Sequence, residues 1–194
     1  MLYLVRHGET VFNKERRIQG RLDSPLTDLG VRQARAVAGL LHDLIREPRG
    51  WRIVSSPLGR ASATAAIVGQ RLGLPVEHDE RLREISWGEY DGRLRSELEA
   101  EHPETFGRTG WAFDAPSGEP YEAVAARVAE WLAELPPEPE RRVIAVSHGV
   151  TGRVLRGLYA SLDRDHAARQ DVPQDAVFLL RDGGVGRIDC EPVE

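Results

Sequence analysis

The sequence predicts an α/β domain built on a mostly parallel sheet. Three observations carry this expectation. Short apolar runs suited to strands alternate along the chain with stretches whose apolar residues recur at helical spacing. A length of 194 residues, against roughly 150 per domain, points to a single domain over 1–194 that can bury a core without staples. A composition of 29% charged and 41% hydrophobic residues is ordinary for a soluble globule.

The elements follow in order. Residues 2–5 are a short apolar run and read as a buried strand. From Thr27 to Leu44, Val31, Ala34, Val37, Ala38, Leu41 and Leu44 form a helical stripe, with Thr27 placed to cap it. Trp51 to Ser55 reads as a second strand. Ser56 and Pro57 then offer an N-cap and a first-turn proline for a helix running to about Leu72, where Gly73 stops it. Leu74 to His78 reads as a short strand, and a helix is expected around Leu94–Glu101. An irregular stretch follows from His102 to Ser117. Tyr121–Leu135 carries Val124, Val128, Trp131, Leu132 and Leu135 on one helical face, and Trp131 there reads as core. The proline-rich run 136–140 is an exposed turn. Val143–Ser147 is a buried strand leading through His148 and Gly149 into a helix to about Tyr159, and Ala176–Leu180 and Val185–Ile188 close the sheet.

Charge narrows the function classes. Twenty-six basic residues against 31 acidic ones leave a net charge of −5. A nucleic-acid or anionic-membrane partner is not expected, because no basic excess exists to drive counterion release. Lys14 is the only lysine and follows no phosphate-binding glycine loop. Cys190 is the only cysteine, which excludes a disulfide framework and cysteine-rich metal sites. No uncharged run exceeds ten residues, and the start lacks a basic leader. The expected compartment is therefore the cytoplasm.

Ligands of such sheets bind at the carboxyl ends of strands. Three strand ends carry unusual residues: Arg6-His7-Gly8-Glu9-Thr10, Ser55-Ser56-Pro57-Leu58-Gly59-Arg60 and Ser147-His148-Gly149. His7 and His148 each read equally as packed strand-end histidines or as site residues, and Gly8 would let a ligand approach the backbone. Arg60 is more telling. It stands in the first turn of its helix, where the dipole disfavours a cation. Either an anion or an acidic neighbour must account for it.

Together these blocks resemble a family. RHGET with Asn13, QGRLDSPLTDLG, SSPLGRASATA, LREISWGEYDG and VSHG occur in the order found in the histidine phosphatase superfamily, which includes the cofactor-dependent phosphoglycerate mutases. The resemblance implies a three-layer α/β/α sandwich and a phosphohistidine mechanism with no metal and no cofactor. By position, His7 would be the nucleophile. Arg6, Arg60 and His148 would hold the phosphoryl oxygens, with Asn13, Gln19, Gly20 and Gly149 around the substrate. Glu84 would be the general acid; on its own it reads equally as a surface ion-pair partner. The set suits phosphoryl transfer, which rests on positioning and electrostatics. Guanidinium forks grip phosphoryl oxygens bidentately, and they favour the neutral imidazole needed for attack. A protonated Glu84 would donate to the leaving alkoxide, a form that the substrate's charge favours.

Glu9, Asp23 and Asp28 suit turns and caps better than a metal. His42, His78, His102 and His166 share no ligand spacing, and no GxSxG elbow supports a Ser147–His148 pair. Trp87, Trp111 and Phe113 fit either a pocket wall or the core. The leading function is a phosphomonoesterase acting on a small phosphorylated metabolite. A phosphoglycerate mutase is second, because only about 60 residues separate Glu84 from His148, shorter than the insertion of the mutases that the chain resembles. A phospho-ligand binding module is third. The compact length and GRLDSPLT stretch look like α-ribazole phosphatases or broad-specificity relatives, although Gly118-Glu119-Pro120 replaces their GES. An edge strand or apolar face of the sheet is where a homodimer would form.

Overall fold

Six strands form one sheet in the computed structural model, which describes residues 1–191. They are β1 (Leu2–Arg6), β2 (Arg52–Ser55), β3 (Val76–His78), β4 (Val143–Ser147), β5 (Ala176–Arg181) and β6 (Gly184–Asp189). The helices are α1 (Val11–Lys14), α2 (Asp28–Ile45), α3 (Gly59–Leu72), α4 (Arg95–Glu101), α5 (Pro103–Phe106), α6 (Tyr121–Ala133), α7 (Gly149–Tyr159) and α8 (Arg164–Arg169). Strand order is β3-β2-β4-β1-β5-β6. Parallel ladders join β3 through β1, and β5 and β6 add an antiparallel edge. The sheet is mostly parallel, as expected.

Alternation along β1 sets the layers. Tyr3 and Val5 face a cluster with Ile53, Ile144 and Val146, covered by Val37, Ala38 and Leu41 of α2 and Ala61, Ala65 and Val68 of α3. Leu2 and Leu4 face the other cluster, with Val143 and Ala145 under Val124, Val128 and Trp131 of α6 and Val154 and Leu155 of α7. Two helical layers thus sandwich the sheet. Burying a large aliphatic side chain is worth ~1.5–3 kcal/mol, so these two faces supply most of the drive to fold. Among the described residues no helix is long and apolar enough to cross a membrane.

The site's position follows from topology. From β1 the chain passes through α1 and α2 to β2, on one side of β1; from β4 it passes through α7 and α8 to β5, on the other. Neighbouring strands whose connections diverge leave a crevice at their carboxyl ends. His7 and His148 stand there, and the His7 N–H continues the ladder by donating to the Ser147 carbonyl at 3.1 Å.

Several boundaries differ from expectation for physical reasons. The Thr27 hydroxyl accepts from Gly30 N–H as foreseen, and Gly73 closes α3 at φ +68°. Ser56 does not cap α3, which starts at Gly59 after an uncapped Leu58. The Ser56 hydroxyl is engaged instead with His148 Nε2 at 2.8 Å. Helix α6 ends at Ala133, two residues before the expected limit near Leu135. Helices α1, α5 and α8 were not expected. Each has at most six residues and none carries an apolar stripe.

Candidate active site

His7 is 3% exposed, so its ring atoms must find partners inside the protein. Nδ1 lies 2.8 Å from the Gly8 carbonyl and therefore carries the proton. Nε2 is left with its lone pair, towards which Arg60 Nε donates at 3.2 Å. Burial, followed by the Arg60 and Arg6 charges, holds this imidazole well below its ordinary value near 6.5. A neutral imidazole with an unprotonated Nε2 in a cationic niche is equipped for nucleophilic attack once Arg60 releases that lone pair. The ring of His148 stands 5.1 Å from that of His7 and is lowered by the same burial and by Arg60. Its Nδ1 is buried without a partner among the described residues.

Arg60 is 2% exposed, and a buried cation must be paired. Its guanidinium donates to the carbonyls of Gly20 (2.7 Å) and Leu22 (2.9 Å) and to Asp23 Oδ1 (3.3 Å). Asp23 is thus the acidic neighbour that Arg60 required, and Arg60 faces His7 as well. The acidic-neighbour reading of this arginine is therefore met by Asp23, while its Nε–H is turned to His7. Arg6, at the end of β1, donates to the Val172 carbonyl, while its buried Nε has no partner among the described residues. Burial pushes its guanidinium down to about 10, against the opposing charge of Glu84.

Glu84 is no surface residue. It is buried, and its carboxylate accepts from the N–H groups of Val150 (3.1 Å), Thr151 (3.0 Å) and Ile85 (3.1 Å), while the Thr151 hydroxyl shares its one proton between the Arg83 carbonyl (2.7 Å) and Glu84 Oε1 (3.1 Å). Two of these donors are the free N–H groups that open α7, where the helix dipole favours an anion. A Cβ on Gly149 would lie 3.6 Å from Arg6 Nε and 3.7 Å from Glu84 Oε2. Glycine there keeps that corner open.

Around this centre the loop after β1 is locked by hydrogen bonds. Asn13 completes a capping box with Thr10, and Gln19 joins Thr10 to Ser24. Glu9 accepts from the Thr27 hydroxyl at 2.7 Å. Among the described residues no group of three or more His, Cys, Asp or Glu is placed to hold a metal ion. Gly8 does not serve ligand approach. A Cβ there would meet the Gly30 carbonyl oxygen at 2.2 Å, so its close neighbour is the backbone of α2.

A cavity of about 620 Å³ opens over the centre. Arg6, His7, Asn13, Gln19, Gly20, Arg60, Glu84 and Gly149 line it; His148 does not, although it packs on the His7 ring. Trp87 and Trp111, stacked at 6.1 Å, form a wall that also joins the core. Phe113 is absent from the lining and packs on Tyr121 instead. Gln174 went unrecognised in the sequence. Its side-chain amide donates to the His7 carbonyl and to Asn13 Oδ1, both at 3.1 Å, and a lone glutamine in a loop carries no local signal. The cavity arginines 16, 17, 95 and 153 were missed too.

The model of the histidine phosphatase superfamily (branch 1) matches residues 2–184. The chain is 41% identical over 161 residues to glucosyl-3-phosphoglycerate phosphatase of Mycobacterium tuberculosis, covering 76% of this chain and 70% of the relative. It is 36% identical over 197 residues to the probable phosphoglycerate mutase GpmB of Yersinia pestis, covering 98% and 85%. The solved structure of Bacillus stearothermophilus YhfR superposes with a TM-score of 0.80 at 31% identity, covering 97% of this chain and 95% of that one.

Proposed function

Because the chain belongs to the histidine phosphatase superfamily, we propose that it is a phosphomonoesterase that cleaves a small phosphorylated metabolite through a phosphohistidine on His7. The observation that carries this reading is the niche around His7 Nε2. Arg6, Arg60 and His148 converge there, and two buried polar atoms, Arg6 Nε and His148 Nδ1, lack partners among the described residues. A buried N–H without a partner, as at Arg6 Nε, calls for an acceptor. A phosphoryl group, with charge spread over three oxygens, supplies it.

The steps balance on these residues. His7 Nε2 forms a bond to phosphorus as the ester P–O bond breaks. Glu84 takes a proton from the bound ester monoanion and hands it to the departing alkoxide. A water then attacks phosphorus and Glu84 takes the proton. The P–N electron pair returns to His7, and phosphate leaves. The relative from M. tuberculosis, whose name gives it a sugar-phosphoglycerate ester as substrate, supports hydrolysis as the outcome. The GpmB relatives give weight to a second reading, a phosphoglycerate mutase.

His7→Ala should abolish hydrolysis of an aryl phosphate while the far-ultraviolet circular dichroism stays unchanged. Wild type should form an acid-labile phosphoenzyme. Chelator should not reduce the rate, since nucleophile and charge stabilisation both come from side chains; full loss with EDTA would sink the metal-free mechanism. Efficient interconversion of phosphoglycerate isomers after priming with a bisphosphate, with poor ester hydrolysis, would favour the mutase.

A further inference from the structure

Six arginines line the cavity against two glutamates, in a protein whose net charge is −5. The chemistry proposed above uses only Arg6 and Arg60. The other four, Arg16, Arg17, Arg95 and Arg153, stand on the remaining walls, and a cavity of about 620 Å³ falls within the usual range of whole-metabolite sites. We propose that this outer, arginine-lined part binds a second anionic group of the same substrate, a carboxylate or a further phosphate, with Arg153 and Arg16 as its main holders. The proposal rests on the phosphatase reading and names the class of ester that the enzyme would select.

The pairing pattern singles out these two. Arg95 bonds Glu99 at 2.7 Å, and Arg17 bonds Glu15 at 2.8 Å. No carboxylate lies within 4.0 Å of the Arg16 or Arg153 side chains among the described residues. Arg153 projects from α7, the helix whose N-terminus holds Glu84. It spends its Nε–H on the Gln170 carbonyl, which leaves its two terminal nitrogens for a ligand. Burial lowers its guanidinium, with the Glu84 and Asp171 charges opposing and the Arg95 charge adding to the fall; Arg153 adds in turn to the lowering of Arg6 by burial. These cations sense one another, and an anion between them would relieve that repulsion.

The rim is also fixed in place. Arg95 N–H donates to the Arg16 carbonyl at 3.0 Å, Ile18 N–H to Arg93 at 2.9 Å and Gly92 N–H to Ile18 at 2.7 Å. These bonds clip the loop after α1 to the start of α4. Arg16 holds φ at +58°, a left-handed conformation disfavoured for a residue with a side chain. Two Arg-bearing segments are therefore pre-positioned over the cavity, which lowers the ordering cost of binding.

Paired substrates test this. Phosphoglycolate against ethyl phosphate isolates a carboxylate; a hexose bisphosphate against the hexose monophosphate isolates a second phosphate. Wild type should favour the doubly anionic member of at least one pair by roughly 10- to 100-fold in kcat/KM. Arg153→Gln combined with Arg16→Gln should collapse that ratio, mainly through KM, because such binding acts before and during the chemical step alike. A ratio near one in wild type, or one unchanged in a variant with an unaltered melting temperature, overturns the second-anion site. Failure to release phosphate from any of the four esters overturns the phosphatase reading, and this inference with it.

Discussion

Gly8 shows how much of this site depends on single atoms. A Cβ there would meet the Gly30 carbonyl oxygen at 2.2 Å, and one on Gly30 would meet the Glu9 carbonyl oxygen at 2.0 Å. The two backbones touch, and this contact seats the loop carrying His7 on the start of α2. Gly8→Ala should destabilise the fold by about 1–3 kcal/mol through overpacking. A urea titration measures this, and an unchanged midpoint would mean that the loop has room to yield. Glu84 makes the complementary point about chemistry. Glu84→Gln removes a proton donor while keeping the shape, so hydrolysis of an alkyl phosphate should fall by roughly 10²–10⁴-fold. p-Nitrophenyl phosphate, whose leaving group departs without a proton, should lose far less. Equal losses for both esters would remove Glu84 from the acid role.

At the scale of elements, α7 does two jobs at once. Its N-terminus follows His148, and its first free N–H groups hold the Glu84 carboxylate, with the Thr151 hydroxyl adding a bond at 3.1 Å. Thr151→Val keeps the shape and deletes the hydroxyl that bridges Glu84 and the Arg83 carbonyl at 2.7 Å. We expect about a tenfold fall in kcat for a poor leaving group, little change for a good one, and recovery in Thr151→Ser. A uniform fall would show the hydroxyl to be merely structural. The same element explains what could be read in advance. Strands β1 and β4 and helix α2 announce themselves by apolar runs and stripes, and Arg60 by its position against the dipole of α3. Glu84 gave no such local sign, because its partners come from a helix more than sixty residues away and exist only once the sheet has formed. Gln174 and the rim arginines were hidden for the same reason, and α1, α5 and α8 are too short to show a stripe. Ser56 misled because a hydroxyl cannot be assigned between a cap and a neighbouring imidazole before the neighbour is known.

Across the whole molecule the net charge of −5 and the cationic cavity pull in opposite senses, and the two buried histidines record the conflict. Burial first, then Arg60, holds both His7 and His148 well below 6.5. In the unfolded chain both return to about 6.5. Above that pH neither state binds the extra protons, so the histidines leave stability unchanged. Below it the unfolded chain takes up protons that the native state refuses, and stability falls with pH, approaching about 1.4 kcal/mol per unit for each histidine. Carboxylates act in a different window. Asp79, held below the ordinary carboxylate range first by its Arg81 bond, stabilises the fold fully above about 4 and loses that contribution only below. The interval from pH 6.5 to about 5 lies above that window. The urea midpoint of wild type should fall across it, and that of the His7→Asn/His148→Asn double variant should fall less steeply. A flat wild-type profile would mean that the native niche accepts protons freely. That result would also remove the physical basis for a neutral His7, and hydrolysis would then lose its acid limb near 6.5 rather than well below it.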